Sequence, residues 1–123
     1  MLKEGLTHTS VLTVKDSDTA LRFGSGDMPV LATPAMLALM ENAAMLAVAA
    51  GLEEGQTTVG GHIESSHLQP SKIGVQVEAT ATLVRIEGRK LYYHITARMG
   101  DVVIGEGRHL RFIVDRVRFL SKL

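Results

Sequence analysis

Apolar residues recur at every second position along much of this chain, but in one stretch they occupy nearly every position. Val75, Val77, Ala79, Ala81 and Leu83 alternate with Gln76, Glu78, Thr80 and Thr82, the period of a half-buried strand. Leu91, Tyr93, Ile95, Ala97 and Met99 repeat it opposite Tyr92, His94, Thr96 and Arg98. Glu87-Gly88 and Gly100-Asp101 suit tight turns between antiparallel neighbours, and Val102–Val114 predicts the last long strand. Earlier, Thr7–Lys15 is rich in Thr, Val and Leu and predicts a first strand, with Thr19–Phe23 a short second one. Gly24-Ser-Gly-Asp27 reads as a flexible loop. Thr57–Leu68 leans to β until Pro70 stops it.

The exception runs from Thr33 to Ala50 and is Ala, Leu and Met on almost every face. Thr33 suits an N-cap, Pro34 the first helical position and Gly51 the C′ residue. A helix apolar all round is a buried helix. One such helix followed by meandering strands predicts an α+β domain, the helix lying on the concave face of a curved antiparallel sheet. A half-covered helix and free sheet edges call for a second copy, hence a homodimer, alone or paired into a tetramer. At 123 residues and 46% hydrophobic, the expectation is one domain over 1–123.

Composition narrows the partners. Lys plus Arg and Asp plus Glu both number 13, so no broad basic surface invites nucleic acid. Aromatics are too few for base-stacking platforms. Without Cys there is no disulfide, thiolate nucleophile or Cys-based metal site. The polar start at Met1–Leu6 is unlike a signal peptide, and Glu41 with Asn42 spoils the helix as a membrane span. The expected location is cytoplasmic, with no membrane partner. Ser121-Lys122-Leu123 matches a peroxisomal address, but three common residues coincide easily.

Glu41 is the one charged residue in the apolar helix, and no Lys or Arg occurs from Phe23 to Ser71 to neutralise it. A desolvated carboxylate is expected to have a raised pKa and to serve as base, acid or nucleophile. The alternative is a carboxylate at a helix edge touching water. His62 and His67, five apart, face opposite sides of a regular strand, poor geometry for a shared metal, so no metal site is expected. Either could instead be a general acid or base. Gly60-Gly61 permits close backbone approach to a ligand or marks a bulge. Arg111 reads, taken alone, as part of a solvated strand face.

Together these positions say more. Leu31–Glu41, then Val59-Gly60-Gly61 with His67, Ile86–Leu91, and Gly105–Arg111 resemble the fluoroacetyl-CoA thioesterase-like family of hot-dog proteins. The resemblance covers most of the chain from the helix onward. It implies a hot-dog fold and an acyl-CoA thioesterase needing no cofactor, coenzyme A being part of the substrate. It also implies a catalytic set of Thr33, Glu41 and His67, with Gly60 and Arg111 contacting substrate. The fluoroacetate-specific enzyme carries a Phe-bearing lid just before the helix, whereas Gly24–Val30 here has no aromatic, which points to a broader or different acyl group. Thr33 and Glu41 on one straight helix lie roughly 12 Å apart, so the expected site is shared between subunits. Two other readings stay open: a non-catalytic acyl-CoA or small-ligand binding protein, and a hot-dog dehydratase or hydratase.

Overall fold

A computed structural model describes residues 1–123. Strand β1 (Thr7–Thr13) leads through a 3-10 turn and the short helix α1 (Ala20–Phe23) to the long helix α2 (Thr33–Ala49). Strands β2 (Gln56–Ser65), β3 (Gln76–Glu87), β4 (Lys90–Met99) and β5 (Val102–Asp115) follow, and α3 (Arg116–Ser121) closes the chain. The strands form one antiparallel sheet in the order β1-β3-β4-β5-β2, so β1 and β2 are its edges. The hairpin and alternation expectations hold: Gly88 and Gly100 take φ of +63° and +61° at the two turns, where a side chain would be strained.

The inner face is built for close approach. Val77, Ala79, Ala81 and Leu83 of β3, and Leu91, Tyr93, Ile95 and Ala97 of β4, are buried beneath α2. From the helix come Ala35, Met36, Leu39, Met40, Ala43, Ala44 and Val48, and these side chains share one core cluster of 19 residues. Small residues on both layers bring the helix down onto the strands. A Cβ at Gly105 would stand 2.6 Å from the Ser66 carbonyl oxygen and 3.0 Å from Met36 Cε, so a glycine is required there.

Three expectations are corrected. Thr19–Phe23 is not a strand. Only Thr19 makes a bridge, to Leu31, and its hydroxyl then caps a helical turn that Gly24 closes at φ +79°. Thr33 is not the N-cap: Ala32 is, its carbonyl accepting from Met36 N, and the Thr33 hydroxyl is used elsewhere. Nor is α2 buried all round in one chain. The sheet covers one stripe, while Ala38, Leu46 and Ala49 on the other side remain exposed. Helix α3 had no sequence signal beyond Asp115, whose carboxylate caps it by accepting from Arg118 N. No helix is long and apolar enough to cross a membrane.

Candidate active site

Two groups of polar side chains flank α2, one at its start and one two turns further along. At the start, Thr33 Oγ1 and His67 Nδ1 are 2.7 Å apart. His67 lies just past β2, where Ser66 N and Leu68 N still bond to the carbonyls of Glu106 and Ile104, so β5 fixes its position. Its Nε2 is buried without a partner. A cavity of about 290 Å³ opens beside the pair, lined partly by Ser25, Val30, Leu68 and Pro70. His62 faces away and pairs with Glu64 at 3.2 Å, so the two histidines are separated.

The second group gathers around Glu41. The expected desolvation is not met: its side chain is 43% exposed, and Arg111 Nη1 lies 3.8 Å from Oε2. The partner that the local sequence lacks comes from β5, seventy residues away. Gly60 sits against the same carboxylate, where a Cβ would come within 2.9 Å of Oε2. A register shift between Gly60 and His62 marks a bulge there, and the Phe112 ring fills the space over Gly61.

Arg111 is not on a solvated face. It is buried, with Nε donating to Thr58 Oγ1 (2.8 Å), Nη2 to the Thr58 carbonyl (2.9 Å) and Nη1 to His109 Nε2 (3.1 Å). An arginine only donates, so His109 Nε2 must accept. Its Nδ1 therefore carries the proton and donates to the His62 carbonyl at 2.6 Å. Tyr93 packs beside it with a hydroxyl that has no partner, and burial pushes that phenol up to about 12. Sequence reading missed His109 and Thr58. The available signal was the two-residue period of β5, which puts Gly105, Gly107, His109 and Arg111 on the inner face, two of them polar where core is expected.

Burial holds both His67 and His109 below the ordinary imidazole value; for His109 the His62 carbonyl opposes that and Arg111 adds to it. The unfolded chain therefore takes up these protons at higher pH than the folded one. Stability rises with pH through that window and is lost as pH falls below about 6.5. The melting temperature should drop between pH 7.5 and 5.5, above the range where carboxylates titrate, and His109→Gln should reduce the drop. A flat melting profile over that range contradicts the assignment.

The sequence profile of the fluoroacetyl-CoA-specific thioesterases matches residues 14–117. The chain belongs to that family. Its members are thioester hydrolases, and the antiparallel sheet with α2 against it is the hot-dog fold. The fluoroacetyl-CoA thioesterase of Streptantibioticus cattleyicolor is 36% identical over 94 residues, covering 76% of this chain and 68% of that one. A variant of the fluoroacetyl-CoA thioesterase solved with acetyl-CoA superposes with a TM-score of 0.93 at 29% identity, covering 98% and 96% of the two chains. A hot-dog-like protein of Thermanaerovibrio acidaminovorans gives 0.87 at 25% identity, over 97% and 88%.

Proposed function

We propose that this family member hydrolyses small acyl-CoA thioesters at a site shared by two copies of the chain. The observation that carries the reading is the 2.7 Å contact between Thr33 and His67, a hydroxyl set against an imidazole that burial keeps neutral at neutral pH. Glu41 of the second copy supplies the carboxylate. It takes a proton from water as the water oxygen attacks the carbonyl carbon. As the C–S bond breaks, neutral His67 takes up that proton from Glu41 and passes it to the departing thiolate, returning to its neutral form, while Thr33 orients the ring. Gly60 leaves room for substrate beside Glu41 and offers its amide to the developing oxyanion. Arg111 sits behind Glu41 as a positioning cation, with three of its donor nitrogens engaged by Thr58 and His109.

The same contact favours a second reading, in which Thr33 attacks and His67 is its base. That route leaves an acyl ester on Thr33. Mass analysis of the chain quenched within one turnover separates the two, because direct attack by water leaves the protein mass unchanged.

The test of the function is release of free thiol across a panel of acyl-CoAs. No turnover on any of them would leave a binding role or a dehydratase or hydratase. Within the panel, acetyl-CoA and fluoroacetyl-CoA should differ little. Gly24–Val30 holds no aromatic side chain, Phe23 is half exposed outside the Thr33–His67 cavity, and Phe112 is committed to Gly61. Small apolar differences alone give about 1–3 kcal/mol of discrimination. A kcat/KM ratio beyond a few hundredfold would show a selective pocket built by another route.

A further inference from the structure

We infer that His109 is a positioning residue that holds the Arg111 guanidinium back from Glu41, keeping the carboxylate polarised but uncapped. The inference rests on the role proposed for Glu41. A charge-assisted N–H···O bond settles at about 2.7–2.9 Å when nothing prevents it. Arg111 Nη1 instead stops 3.8 Å from Glu41 Oε2, although the two charges face each other. The reason is visible on the other side of the guanidinium. Thr58 takes two of its nitrogens and His109 Nε2 takes the third, at 2.8, 2.9 and 3.1 Å. All three residues are at least nine-tenths buried, so water does not compete for these bonds.

His109 is itself locked. Its Nδ1–H is spent on the His62 carbonyl, the first residue after the bulge. One ring thus pins the bulge that sets Gly60 beside Glu41 and turns a lone pair toward Arg111. Without that lone pair, Nη1 is free to close on Glu41. A closed ion pair ties up lone pairs of the carboxylate and lowers its readiness to accept a proton or attack carbon.

Asparagine and glutamine divide the two functions of the ring. His109→Asn reaches the His62 carbonyl but falls short of Arg111. His109→Gln reaches Arg111 with its amide oxygen and gives up the bond to the carbonyl. The inference expects His109→Asn to lose about tenfold or more in kcat with KM within twofold, and His109→Gln, which keeps the acceptor for Arg111, to lose clearly less. In a Glu41→Gln background, where no carboxylate remains to be capped, His109→Asn should have no further effect on residual turnover. Equal kcat in the Asn and Gln variants, or an undiminished Asn effect on top of Glu41→Gln, overturns it. Thr58→Val loosens the same guanidinium from its other side and carries the identical test where His109→Asn does not fold. Should Glu41→Gln alone be as active as wild type, the role of Glu41 fails first, a result distinct from either of these.

Discussion

Glu41→Gln is expected to abolish most thioester hydrolysis while leaving the chain folded. Removing acid–base catalysis costs about 10²-fold or more, close to 2.7 kcal/mol in the barrier. The structural cost is smaller. The carboxylate is nearly half exposed, and its ion pair with the buried Arg111 is long at 3.8 Å. Arg111 keeps its bonds to Thr58 and His109 when the carboxylate is neutralised. Loss of turnover with an unchanged melting temperature is therefore the expected result, and near-normal turnover by the folded variant removes Glu41 from the chemistry.

The second large effect is recovery of activity from two dead chains. Thr33, paired with His67, and Glu41, facing Arg111, are eight residues apart on α2, or roughly 12 Å. If one active site takes Thr33 and His67 from one subunit and Glu41 from the other, Glu41→Gln and His67→Asn homodimers are both inactive. A mixed dimer then contains one intact site and one doubly damaged site. Random mixing makes about half the dimers mixed, so about a quarter of wild-type activity should return. Sedimentation should show a dimer at micromolar concentration, with the exposed stripe of Ala38, Leu46 and Ala49 covered. No recovery in a preparation shown to contain mixed dimers would place the whole site in one chain, and a stable monomer would do the same.

How far the sequence could be read depended on whether a signal was local. Alternation in β3 and β4 is a property of neighbouring residues, and the strands lie where the period predicts them. The apolar run likewise marked α2 within a residue. Thr19–Phe23 misled because Thr and Phe favour strands, while the outcome was decided by a cap at Thr19 and a positive φ at Gly24. Glu41 was singled out as an isolated charge, but its isolation was one of sequence only. Arg111, held by His109, reaches it through the pairing of β5 with β2, which no local pattern reveals. Thr33 looked like a cap for the same reason: its true partner, His67, lies 34 residues on.

The strand order has a consequence for how the chain matures. Strand β2 follows α2 directly, yet its only neighbour in the sheet is β5, the last of the five strands to be made. Until β5 arrives, β1, β3 and β4 can pair and carry the helix, but β2 waits with both edges open. Contacts of such long sequence separation form late and slowly. The bulge at Gly60, the Arg111 cation and the strand that fixes His67 all depend on that final closure. A chain made or clipped short of β5 would therefore hold its helix and much of its core while remaining chemically silent, and activity would switch on only once β5 has closed against β2.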